Sequence, residues 1–98
     1  MTNYEEDFQN EVAGLGCIAC HIDGRRNEYV SIHHIDGRTK PGCEMQVLPL
    51  CGAHHQTGGE SVPSLHPWKR RFENKYGSQA ELLALVHEML GNKWKAPA

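Results

Sequence analysis

No stretch of this 98-residue chain approaches the ~18 consecutive apolar residues of a membrane-spanning helix, so no span is expected. Basic charge is not in excess either. Ten Lys and Arg stand against twelve Asp and Glu, a formal charge of −2. That excludes a strongly basic, histone-like coat protein. It leaves nucleic acid open as a partner, because charge can be unevenly distributed. Internal repeats and low-complexity segments are absent. The opening residues, Met1-Thr2-Asn3-Tyr4-Glu5-Glu6-Asp7, are acidic and lack the basic-then-apolar layout of a signal peptide. The expected compartment is the cytosol, where thiols stay reduced and cysteines bind metal more often than they pair. Core material is scarce too. With 39% apolar residues, one small domain has a thin core and needs a staple. Four cysteines and seven histidines are the candidates for it.

The pattern predicts a mixed α+β domain spanning 1–98, with its core at 15–77. Residues 2–12 read as a helix: Thr2 and Glu5 fit a capping box, and Tyr4, Phe8 and Val12 recur on one face. Gly14 and Gly16 end it. Cys17-Ile18-Ala19-Cys20 reads as a tight turn. Tyr29 to Ile35 alternates and is rich in β-branched residues, so it predicts a strand. Asp36 to Gly42 is a loop, and Met45 to Leu48 a second strand closing a hairpin. Cys51 to Gln56 is a short helical turn halted by Gly58-Gly59. After a Pro-containing loop at 60–67, Pro67 suits the first position of a helix ending at Tyr76. Ser78 and Glu81 form a second capping box for a helix to Leu90. Its apolar stripe predicts core packing or a dimer face, and 92–98 a frayed tail.

Cys17-x2-Cys20 and Cys51-x2-His54 share one internal spacing. Each pair brings two donors to one point, and together they make a Cys3His set of the kind that holds structural Zn2+. One ion would tie the start of the hairpin to the turn after it. The plain alternative is ordinary buried thiols. A redox dithiol at Cys17 and Cys20 would need a βαβ context that is absent. Cys43 has no partner at metal spacing, His21 would strain the turn as a ligand, and His87 reads as a surface or packing residue. His33, His34 and His55 remain. Neighbours on a strand point to opposite faces, so one of His33 and His34 can face the turn after the hairpin. Zinc would then bring His33 and His55 close enough to share a second ion, as in a hydrolytic site with open positions for phosphate and water. A chance His-His pair on an exposed strand is the alternative.

Cys17-x2-Cys20, His33-His34-Ile35 and Leu48-Pro49-Leu50-Cys51-x2-His54-His55 resemble the HNH (ββα-metal) nucleases that carry a structural zinc. The chain is more closely similar to phage Ref-like recombination-enhancement nucleases. It shares with them His33 to Arg38, Leu50 to His55, His66, Phe72-Glu73 and Tyr76-Gly77. The resemblance covers about residues 15–85 and implies a small zinc-stapled treble-clef or ββα-metal domain with flanking helices. It implies that His33 and His55 bind the catalytic ion and that His34 is the general base. The middle Asn of that pattern falls on Gln46. A ligand found four residues after the last histidine in some members falls on Gly59, which cannot ligate. His66 and Asp36 are further candidates, His66 as a third ligand or phosphate contact, Asp36 for holding a metal-bound water or orienting a histidine. The resemblance to phage proteins implies the cytoplasm of a bacterial host.

The implied reaction is metal-assisted hydrolysis of DNA phosphodiester bonds. Oxygen-rich coordination suits Mg2+ or Mn2+, while two imidazoles also suit Zn2+ or Ni2+. Charge is unevenly spread. The first sixteen residues carry four acidic side chains and no Lys or Arg, while 17–77 carries eight basic and six acidic ones. Arg25-Arg26, Arg38, Lys40, Lys69, Arg70 and Arg71 are the candidate phosphate contacts. The field is slight, so DNA affinity should be weak and salt-sensitive, which fits delivery by a partner. The resemblance makes that partner a recombinase filament. The competing function is a non-catalytic treble-clef zinc module binding DNA or protein, which would have no use for the surplus histidines.

Overall fold

A computed structural model describes residues 1–58 and 62–95. Gly59, the position noted as unable to ligate, lies outside the described residues, as do 60–61 of the predicted loop and 96–98 of the tail.

The Thr2 hydroxyl accepts from the Glu5 N–H at 3.1 Å, and the Glu5 carboxylate accepts from the Thr2 N–H at 2.8 Å. This capping box starts α1 (Asn3–Gly14), with Thr2 just before the helix. Phe8 and Val12 are fully buried. Tyr4, expected on the same face, is 43% exposed. It lies a turn beyond Phe8, near the end of the helix, and its ring meets Trp94 edge-on with centroids 5.1 Å apart.

Gly16 sits at φ +79°, and a Cβ there would stand 2.8 Å from the Asn27 carbonyl oxygen. Glycine permits both the left-handed backbone and that approach. The Cys17 N–H can therefore donate to Asn27 O at 2.8 Å, closing the segment that carries the first thiol pair. The predicted tight turn is a short helix, α2 (Ile18–Ile22), with the Cys17 sulfur accepting from the Cys20 N–H at its start.

Strands β1 (Val30–His34) and β2 (Val47–Cys51) pair antiparallel, with Val30 opposite Cys51 and His34 opposite Val47. β1 is a residue shorter at each end than the predicted strand. β2 begins at Val47, after a 3-10 turn at Cys43–Met45, and runs through Pro49 to Cys51, past the predicted end at Leu48. Pro49 is tolerated because both strands of a two-stranded sheet are edges, so a missing N–H can face away from the partner. All of β2 is buried, with α1, α2 and α4 packed near it.

A single π-type turn, Ala53–Thr57, follows β2. α3 (Lys69–Tyr76) starts two residues after Pro67, which lies in the preceding turn; Trp68 precedes the helix without a side-chain capping bond. Reciprocal Ser78 and Glu81 bonds start α4 (Gln79–Met89) as predicted. Leu82 and Val86 are buried, and Leu83, Met89 and Leu90 pack against the same core. Residues 92–95 differ from the expected frayed tail. The Trp94 ring packs on Phe8 with centroids 5.5 Å apart, and its N–H donates to Glu11 at 3.2 Å. The apolar area of the indole draws this segment onto α1.

The fold is thus a small mixed α+β arrangement, a two-stranded sheet with helices around it. Among the described residues no helix is long and apolar enough to cross a membrane.

Candidate metal centres

Cys17 precedes α2, Cys20 lies within it, Cys51 ends β2, and His54 sits in the π turn. All are buried, and their donor atoms lie within 4.8 Å of one another. His54 Nδ1 is 3.5 Å from the Cys17 and Cys20 sulfurs and 3.2 Å from that of Cys51. The Cys20 and Cys51 sulfurs are 3.8 Å apart, and every cysteine is free. A tetrahedral zinc with bonds of about 2.3 Å to sulfur and about 2.0 Å to nitrogen sets sulfurs about 3.8 Å apart and sulfur and nitrogen about 3.5 Å apart. The observed spacings fit a metal such as zinc. Burial pushes the Cys17 thiol up to about 12 and also raises Cys20. Without a cation these thiols keep their protons, and metal binding would release them.

The other face of His54 is also fixed. With Nδ1 toward the sulfurs, Nε2 carries the hydrogen and lies 2.9 Å from the Tyr76 hydroxyl, which donates to Asp23 Oδ2 at 2.7 Å. Burial, with Asp23 adding to it, pushes the Tyr76 phenol up, so it keeps that proton. Asp23 is held in turn by Arg25 at 3.5 Å and Lys75 at 3.7 Å. Such an outer chain fixes the orientation of a metal-binding imidazole.

A second group forms beside the first. His33 lies on β1, His55 directly follows His54, and His66 lies in the turn before α3. One nitrogen from each lies within 4.8 Å of the others, and the ring centroids are 5.1–5.5 Å apart. Backbone bonds from Leu65 N–H to His54 O (2.7 Å) and His66 N–H to His55 O (2.9 Å) place His66 against the π turn. His33 Nε2 is 2.8 Å from the Gln79 amide oxygen. That oxygen accepts, so His33 keeps Nδ1 free for an ion. The Ser31 hydroxyl lies 3.4 Å from the Leu50 carbonyl and 2.9 Å from His55 Nδ1. A proton on that Nδ1 leaves His55 Nε2 free. Burial lowers the pKa of His33 and of His55, and neighbouring histidines lower both further. Both are therefore neutral near pH 7, the ligating form.

Burial grades outward from His33 (6% exposed) through the half-buried His55 to the exposed His66. The group lines a cleft of about 380 Å³ together with His34 and Arg38. An ion held here would keep open positions, unlike one enclosed by four protein donors.

His33 and His55 thus meet as the sequence predicts, and His66 joins them. Asp36 is exposed and stands outside the group. His34 Nε2 lies 2.6 Å from Glu44 Oε1. The Gln46 carbonyl accepts from the Ile35 N–H at 2.9 Å, continuing the hairpin pairing beyond the strands. Cys43 and the exposed His21 belong to neither group, and His87 stacks on Phe8 with centroids 5.4 Å apart. Arg38, Lys40, Lys69, Arg70 and Arg71 are exposed. None of them forms an ion pair among the described residues, whereas Arg25, Arg26, Lys75 and Lys93 do.

Sequence reasoning missed the outer partners Glu44, Gln79, Ser31 and Asp23. They reach their targets over separations of 10, 46, 24 and 53 residues, which no spacing rule encodes. Only Ser31 carried a signal, being two residues from His33 on the same strand face.

A family model described as recombination enhancement, RecA-dependent nuclease matches residues 1–91. The match spans both metal groups, the cleft and every helix and strand above. The chain therefore belongs to the family of recombination-enhancement, RecA-dependent nucleases.

Proposed function

We propose that this protein is an HNH-type endonuclease that hydrolyses DNA phosphodiester bonds at strands engaged by RecA, using a divalent cation beside a structural zinc. The observation that carries this reading is the grouping of His33, His55 and His66 in a cleft that His34 also lines. A divalent ion held by these histidines would supply Lewis acidity to the phosphate; three imidazoles suit Zn2+ or Ni2+, and the expected Mg2+ or Mn2+ would need water and phosphate oxygens to complete its shell. The protein supplies the rest. His33 and His55 present neutral nitrogens whose other faces are tied to Gln79 and Ser31. His66 adds a third nitrogen from the open side. His34 takes the proton of the attacking water. Arg38 meets phosphate from within the cleft, and Lys40, Lys69, Arg70 and Arg71 extend the exposed basic surface. With a net charge of −2, free DNA is held weakly. A RecA filament supplies the local concentration the enzyme lacks.

The test is cutting of supercoiled and single-stranded DNA, each with and without a RecA filament and ATP. Arms with Mg2+, Mn2+ and EDTA are run beside His34→Ala. The expected result is metal-dependent cutting that falls ~10²–10⁴-fold in the variant, the size of a general-base contribution. Folded, zinc-loaded protein that cuts under none of these conditions would instead be a non-catalytic zinc module.

A further inference from the structure

The closest polar contact made by His34 is to a carboxylate that the reaction above does not use. We infer that Glu44 is the positioning residue of His34: its carboxylate holds the imidazole in one tautomer, with the hydrogen on Nε2 and Nδ1 left as the proton acceptor. This rests on the preceding reading of His34 as the base.

The contact is 2.6 Å between His34 Nε2 and Glu44 Oε1, the short range of a charge-assisted hydrogen bond. It is sheltered, with the His34 side chain 9% exposed and that of Glu44 27%. Glu44 is not a floating surface acid. It sits in the 3-10 turn Cys43–Met45, its carbonyl accepts from Gln9 Nε2 of α1 at 2.9 Å, and the next residue, Met45, is buried. The Gln46 carbonyl then binds Ile35 N–H across the hairpin at 2.9 Å. The backbone that carries the carboxylate is therefore anchored by α1, by the core and by the hairpin whose strand carries His34. An ionised carboxylate can only accept a hydrogen bond, so Nε2 must donate. His34 lines the cleft, and Nδ1 is its remaining nitrogen. Pinning tautomer and ring angle in advance removes a reorganisation that the reaction would otherwise need.

The experiment uses the full chain, zinc-loaded, with Mn2+ and RecA-coated DNA. Turnover is measured for Glu44→Ala, Glu44→Gln, His34→Ala and the Glu44→Ala/His34→Ala double variant. Imidazole 15N spectra of the protein alone report the His34 tautomer. In Glu44→Ala, kcat should fall ~10–100-fold, the usual effect of losing an orienting partner, with KM nearly unchanged. His34 should then show a mixture of tautomers. Glu44→Gln keeps an acceptor of similar reach and should recover most of the tautomer and part of the rate. The double variant should be no slower than His34→Ala. Unchanged kcat in Glu44→Ala beside an inactive His34→Ala would overturn the role of Glu44 and leave the nuclease reading standing. A pure Nε2–H tautomer persisting in Glu44→Ala would also overturn it. Wild-type cutting by His34→Ala would instead remove the base itself. If Glu44→Ala fails to fold, Glu44→Gln carries the test: rate and tautomer both at wild-type values would leave the carboxylate charge without a role in catalysis, and a lower rate with retained KM supports it.

Discussion

Two donor clusters sit side by side, joined by the His54–His55 peptide, and they differ in donor chemistry and in closure. The Cys3His group is sulfur-rich, buried at every position and closed by four protein donors. The His33/His55/His66 group is all nitrogen, graded from buried to exposed, and open to a cleft. A closed set satisfies its ion completely and returns the binding energy as fold stability. An open set leaves room for phosphate and water. Because His54 and His55 are neighbours, an ion that fixed the first would also fix the position of the second.

The largest expected effect comes from breaking the closed centre. Cys17→Ala or Cys51→Ala, or strong chelation of the wild type, should unfold the domain, since structural zinc contributes ~10–16 kcal/mol in small zinc domains. Circular dichroism and zinc content would report it, and full helicity without zinc would refute it. A smaller effect falls on the open side: His34→Ala should keep fold and zinc while losing ~10²–10⁴-fold in turnover. Tyr76→Phe sharpens the comparison from the zinc side. It removes the hydroxyl between His54 and Asp23, so competition with a chromophoric chelator should give ~10–100-fold weaker zinc binding. Gln79→Ala should leave zinc affinity alone and slow cutting, because among the described residues the Gln79 side chain bonds to His33 and to none of the Cys3His donors. The smallest change is expected from Arg70→Ala. It should lower the salt dependence of DNA binding by about 0.7–0.9 in slope if that side chain meets one phosphate.

Local chemistry made much of this legible in advance. Thr2 with Glu5 and Ser78 with Glu81 are short-range devices, and both helices start where those residues place them. The repeated two-residue gap in Cys17/Cys20 and Cys51/His54 located the closed centre for the same reason. Strand alternation, added to the neighbour relation of His54 and His55, brought His33 and His55 together. Long-range choices escaped. Nothing near Trp94 says that it will lie on Phe8, and nothing near Gln79 says that an N-terminal helix residue will hold His33. β2 extends past Leu48 because burial by three helices overrides the local signal of Pro49.

If the two centres have separate duties, His55→Ala should divide them. The variant removes a donor from the open group and leaves the adjoining His54 in place. Zinc content, thermal unfolding and Mn2+-dependent cutting of RecA-coated DNA are measured on one preparation. Separate duties require zinc at the wild-type level, near-native unfolding and abolished cutting. Wild-type cutting, or loss of zinc and fold together, would contradict them.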